Sequence, residues 1–124
     1  NQIIVALNIE AVAEALLFAA RAGADPAKVR QALMGGFAAS RILEVHGERM
    51  IKRTFDPGFR IELHQKDLNL ALSAARELGL SLPHTASAQQ LFSSCVAQGG
   101  KAWDHSAMVK ALEHMANFDL TETP

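Results

Sequence analysis

The run from Ile3 to Ala22 constrains this chain more than any other stretch. Ile3, Ile4, Leu7, Val12, Leu16, Leu17 and Phe18 place apolar side chains on nearly every face of a helix. A helix that is apolar all round must be covered all round. It therefore belongs at the centre of the domain, against a partner subunit, or both. The run is long enough to span a bilayer, but Asn8, Glu10, Glu14 and Arg21 interrupt it, and a carboxylate near mid-membrane costs about 2.5–3.5 kcal/mol. A buried helix without a membrane partner is the expectation. The 124 residues are enough for one domain with its own core. A composition of 49% hydrophobic and 20% charged residues is that of a globular domain rather than a disordered chain.

Glycines and prolines divide the remainder into further helices. The first ends at Gly23, and Asp25-Pro26 caps and opens a short one that runs to about Met34. A third is expected from Phe37 to about Arg53, loosened at Gly47. Thr54-Phe55-Asp56-Pro57-Gly58-Phe59 is a loop, because Asp-Pro-Gly both breaks a helix and builds a turn. Ile61–Leu78 reads as a long helix closed by Gly79. Another runs from about His84 to Gln98, and a last one opens at Asp104-His105-Ser106 toward Asn117. The tail Asp119–Pro124 is polar and expected to fray. No stretch alternates with the period of a strand. The fold class is all-α, with about six helices.

Charge and side-chain inventory exclude several chemistries. Twelve basic and thirteen acidic residues leave a net charge of −1, without the basic surplus that nucleic-acid phosphates require. The single cysteine, Cys95, forms no internal disulfide, which fits a reducing, cytoplasmic setting, and reads as a small buried filler. No two of His46, His64, His84, His105 and His114 stand at the i, i+4 spacing of a helical zinc site. No metal site is expected, and the histidines are read as solvated or capping. Trp103 is read as a packing anchor.

The helix from Ile61 is the informative one. Glu62, Lys66, Asn69, Ser73 and Arg76 draw one polar stripe along it, and Glu62 precedes Lys66 at the spacing of a helical ion pair. Asp67 departs from this pattern. Its helical neighbours Leu63, Leu70 and Ala74 form an apolar row, where an unpartnered carboxylate is costly. Two readings stay open: a functional or partnered carboxylate, or one that snorkels at the helix edge. For Phe55 and Phe59, flanking the turn, the simpler role is to pin the loop to the core; covering a ligand is the other.

Phe59-Arg60-Ile61-Glu62-Leu63-His64-Gln65-Lys66-Asp67-Leu68-Asn69-Leu70-Ala71-Leu72 resembles the F-x-x-x-L-x-x-K-D-L-x-L-A-L signature of the β-hydroxyacid dehydrogenase family. Leu82-Pro83 and Asp104-His105-Ser106-Ala107 are similar to the family's downstream pattern. Asn1-Gln2 resembles the end of its K-x-x-N-[NQ] motif, with Ala13-Glu14-Ala15-Leu16 following. The resemblance extends over essentially the whole chain.

That resemblance implies a helical domain like the carboxy-terminal domain of 6-phosphogluconate dehydrogenase, covering residues 1–124. An amino-terminal Rossmann domain that binds NAD or NADP would precede it. The implied reaction moves a hydride between NAD(P)H and a small semialdehyde or 3-hydroxy acid. Asn1-to-Asn8 and Pro57-to-Ile61 point to tartronate semialdehyde, reduced to glycerate; 3-hydroxyisobutyrate, glyoxylate and succinic semialdehyde are alternatives. The proton donor is implied to be a lysine upstream of Asn1. Asn1 and Gln2 would orient the substrate or that lysine, and Lys66 would reach the cofactor. Asp67 would partner Lys66 at the cleft wall, and Phe59 would line the substrate pocket. A homodimer or homotetramer is expected. The reading from another class is a non-catalytic helical oligomerisation domain.

Overall fold

A computed structural model describes residues 1–122. Its helices are α1 (Gln2–Arg21), α2 (Pro26–Leu33), α3 (Arg41–Lys52), α4 (Ile61–Glu77), α5 (Pro83–Ala97) and α6 (Val109–Ala116), the last preceded by a 3₁₀ turn at His105–Met108. Among the described residues no strand forms; Arg60 and Asp104 make one isolated antiparallel bridge.

The apolar α1 is the axis of the bundle and packs on each of the other five helices. Ala6, Ile9, Ala13, Leu16 and Ala20 are fully or almost fully buried along it, and Phe92, Leu68, Met50 and Met108 close the core around them. Burial of this kind contributes about 25 cal/mol per Å² of apolar surface. α1 is also the one helix among the described residues long and apolar enough to cross a membrane, yet these side chains form the protein core. Its outer face is uncovered: Ile4 and Phe18 are 68% and 78% exposed.

Local chemistry sets most boundaries. Asp25 accepts a hydrogen bond from the Ala27 amide, with Pro26 at the first helical position of α2. Gly23 and Gly79 follow α1 and α4 in the left-handed region, at φ 97° and 71°.

The expected start of α3 at Phe37 is corrected. Ser40 is extended and caps the Leu43 amide, so α3 begins at Arg41 and Phe37 stands fully exposed in the preceding loop. A side-chain oxygen able to satisfy an orphan amide decided this boundary. Gly47, expected to loosen α3, lies inside a continuous helix, buried beside Val12, Leu43 and Arg30. The expected fraying tail is corrected at Leu120, which is buried with its amide donating to Glu113, while Thr121 and Glu122 are exposed. Residues 123–124 of the expected fraying tail lie outside the described residues. Glu113 also takes a two-pronged ion pair from Arg53, at 2.7 and 2.8 Å, tying the end of α3 to α6.

Candidate active site

α4 grips the start of α1 at two points one turn apart. The Asp67 carboxylate accepts a hydrogen bond from the Gln2 carboxamide at 3.2 Å, and His64 Nε2 meets the Gln2 main-chain carbonyl at 3.0 Å. Residues three apart on a helix share a face, which is why His64 and Asp67 both reach Gln2. The Asn1 carboxamide donates to the Gln2 side-chain oxygen at 3.0 Å. Asn1, Gln2 and Asp67 thus form one line of hydrogen bonds along an open groove of about 350 Å³, which Ile3, Leu68 and Ala71 complete. Asp67 is half-buried with Gln2 as its hydrogen-bond partner, but Leu63, Leu70 and Ala74 of the expected apolar row are exposed rather than packed.

Lys66 is turned away from this line. It is exposed and forms no ion pair among the described residues. The expected Glu62–Lys66 pair is corrected, because Glu62 faces Arg60 at 3.5 Å instead. Lys66 does not meet Asp67 either: consecutive helical residues point about 100° apart, so Asp67 faces α1 and Lys66 faces outward.

Phe59, expected to line the pocket, is not among the residues lining this groove. Its ring packs against His64 and His105, with centroids 5.9 and 5.4 Å apart. The Phe59 loop is held by Asp104, a fully buried carboxylate that accepts from the amides of Gly58, Phe59 and Ser106 and from the Ser106 hydroxyl. Arg49 lies 3.4 Å from the same carboxylate. Burial alone would raise the Asp104 pKa, but the donors on Ser106, Phe59 and Gly58 outweigh it and hold the carboxyl below its usual range.

The reading of the histidines as solvated or capping fails for three of the five. His64 is completely buried, His105 nearly so and His46 largely so. His64 Nδ1 and His105 Nδ1 are 2.8 Å apart, and the His46 and His105 rings pack edge to face with centroids 4.6 Å apart. Burial pushes all three pKa values down, that of His105 to about 4, with the nearby His46 and His64 adding to the fall there. Sequence separation hid this cluster, since its members come from three different segments.

Atoms of His46, Asp104 and His105 lie within 4.8 Å of one another, close enough to suggest a cation site. The Asp104 oxygens are already engaged by four donors, however, and the Arg49 guanidinium stands beside them. The set is a loop staple with a histidine cluster packed on it. Cys95 is the expected filler: buried, and with its thiol pushed up to about 11 by burial.

A bundle of this kind is found within a solved dehydrogenase. A solved 3-hydroxyisobutyrate dehydrogenase from Salmonella typhimurium superposes with a TM-score of 0.83 at 28% identity, over 88% of this chain and 38% of that one. Residues 1–112 match the family model described as NAD-binding of NADP-dependent 3-hydroxyisobutyrate dehydrogenase, and the chain belongs to that family. It is 74% identical over 120 residues to 2-hydroxy-3-oxopropionate reductase of Escherichia coli, covering 97% of this chain and 41% of the relative. A probable mitochondrial 3-hydroxyisobutyrate dehydrogenase-like protein of Arabidopsis thaliana is 38% identical, over 97% of this chain and 36% of its own length. The chain thus spans about two-fifths of the curated relatives it matches.

Proposed function

We propose that this chain is the helical domain of an NAD(P)-dependent reductase that converts tartronate semialdehyde (2-hydroxy-3-oxopropionate) to glycerate. The observation that carries the proposal is the 74% identity to the relative bearing that activity in its name. The polar groove where α1 meets α4 agrees with it. An amino-terminal Rossmann domain would close over the groove and hold most of the NAD or NADP, whose nicotinamide supplies the hydride when bound.

In this reading the residues of the chain position the reactants. Asn1 and Gln2 present carboxamides that can orient a small hydroxy-carbonyl substrate or the upstream proton-donating lysine. Asp67 keeps the Gln2 amide aimed and accepts from a substrate hydroxyl. Lys66 fits a cofactor contact, because its ammonium is exposed and has no acid partner among the described residues. Phe59 forms the apolar backing of the pocket. The uncovered Ile4 and Phe18 on α1 support a homodimer or homotetramer in a cytoplasmic enzyme.

The test is a substrate panel on the full-length enzyme with NADH and NADPH. Tartronate semialdehyde is expected to give the highest kcat/KM. A preference for 3-hydroxyisobutyrate, glyoxylate or succinic semialdehyde would reassign the substrate within the family. Full-length protein that binds no nicotinamide nucleotide would favour a non-catalytic oligomerisation domain.

A further inference from the structure

The His64–His105 pair is a structured contact inside the protein, not filler. The Gln2 carbonyl can only accept, so His64 Nε2 carries a proton and donates to it at 3.0 Å. A neutral His64 then offers Nδ1 as an acceptor, and His105 Nδ1, 2.8 Å away, is the donor to it. Hydrogen bonding therefore fixes the tautomer of both rings. Direction runs from His105 through His64 to the main chain of Gln2.

The far end of that line is equally fixed. His105 follows Asp104, whose carboxylate staples the Gly58–Phe59 loop, and the His105 amide donates to the Phe59 carbonyl at 2.8 Å. The line therefore links the Phe59 loop to the residue that carries the Gln2 carboxamide. Between them, His64 takes the main chain of Gln2 and Asp67 takes its side chain, so both the position and the aim of that carboxamide depend on α4.

We propose that His64 and His105 are positioning residues: through two successive imidazole hydrogen bonds they seat Gln2 on α4 and so set the Asn1–Gln2–Asp67 line at the groove. The proposal rests on the reading of that groove as part of the reaction cleft. Neither ring touches the groove, so their effect passes through Gln2. A buried hydrogen bond of this kind contributes modestly to stability, but losing it leaves a buried partner unsatisfied. Catalysis is sensitive to displacements of about 1 Å in a positioning group.

The groups facing the pair are His46 and Arg49 from α3, Asp67 from α4, Asp104 and Phe59 from the loop segments, and the apolar Phe92 from α5. Burial opposes protonation of both rings, with His46 and Arg49 adding to it at His105 against the nearby Asp67 and Asp104 carboxylates, so both serve as neutral partners at neutral pH.

The experiment uses the full-length enzyme with four variants. H64L removes the donor to Gln2, whereas H64Q retains an amide donor where Nε2 lies. H105L removes the donor to His64, whereas H105N retains an amide where Nδ1 lies. Both leucine variants are expected to lower kcat at least tenfold while KM for NAD(P)H stays within about twofold. The amide variants are expected to recover kcat to within about threefold of the parent. Folded leucine variants with parental kcat overturn the proposal, as do folded amide variants that lose as much as their leucine counterparts. A crystal structure of the full-length H64L or H64Q variant gives a second readout, independent of turnover. Gln2 displaced from Asp67 in H64L, or retained in H64Q, supports the proposal; Gln2 unmoved in H64L, or displaced in H64Q, overturns it. Parental enzyme inactive on every semialdehyde removes the functional reading instead, and the crystallographic arm still decides the positioning role.

Discussion

Gln2 and Asp67, 65 residues apart in the chain, are joined by a 3.2 Å hydrogen bond from carboxamide to carboxylate where α1 crosses α4. The contact gives a half-buried carboxylate a donor from another helix, while its row neighbours Leu63 and Leu70 stay exposed. It also separates Asp67 from Lys66, its neighbour in the chain, which faces outward without an ion-pair partner among the described residues. Asp67→Ala in the full-length enzyme is expected to lower kcat about tenfold or more. Steady-state kinetics on tartronate semialdehyde check this, and an unchanged kcat would remove Asp67 from the site.

Lys66→Ala is expected to act on the cofactor. An exposed ammonium contributes to binding a phosphate or carboxamide without supporting the fold. KM for NAD(P)H should rise about five- to tenfold, with the melting temperature unchanged. Unaltered kinetics would exclude Lys66 from the cofactor site.

Asp104→Ala strips the acceptor from three amides and a hydroxyl and leaves Arg49 without its carboxylate. Leaving buried donors unsatisfied costs about 1–3 kcal/mol each when no water replaces the partner, and the effects do not add fully. A loss of about 3 kcal/mol is expected in urea unfolding. A loss below 1 kcal/mol would show that water replaces the staple.

Acid should destabilise the fold before most carboxylates titrate. The buried His105 has a pKa of about 4 against an ordinary 6.5, and burial lowers those of His46 and His64 as well. Between these values the unfolded chain binds protons that the folded chain refuses, so stability is complete above about pH 6.5 and falls as pH drops toward about 4. The depressed Asp104 extends the loss to lower pH. Melting temperature against pH is expected to slope downward from pH 6.5, and H105N should flatten part of that slope. A flat profile from pH 7 to 5 would contradict the buried neutral cluster.

Two glycines should respond in opposite directions. A Cβ on Gly47, in mid-α3, would make ordinary contacts with Arg30, Leu43 and Val12, so Gly47→Ala is expected to gain about 0.5–1 kcal/mol. A Cβ on Gly100 would overlap the Trp103 ring packed against it, and Gly100→Ala is expected to lose about 1–3 kcal/mol. Thermal melts of the two variants measure both.

Sequence alone determined what depends on neighbours in the chain. Asp25-Pro26 set a helix start and Gly79 a helix stop, through a side-chain cap and backbone sterics, and Asp56-Pro57-Gly58 kept its stretch a loop. The apolar residues of α1 made it the axis of an all-α bundle, and the dehydrogenase-family resemblance stood in contiguous motifs. The start of α3 went not to the expected Phe37 but to the residue after Ser40, whose side chain caps the Leu43 amide. Tertiary structure decided the partners. It gave Asp67 to Gln2 rather than Lys66, Glu62 to Arg60, and gathered His46, His64 and His105 from three segments into one buried cluster. Helix periodicity fixes which way each side chain points, but only the packing of one helix on another fixes what it meets.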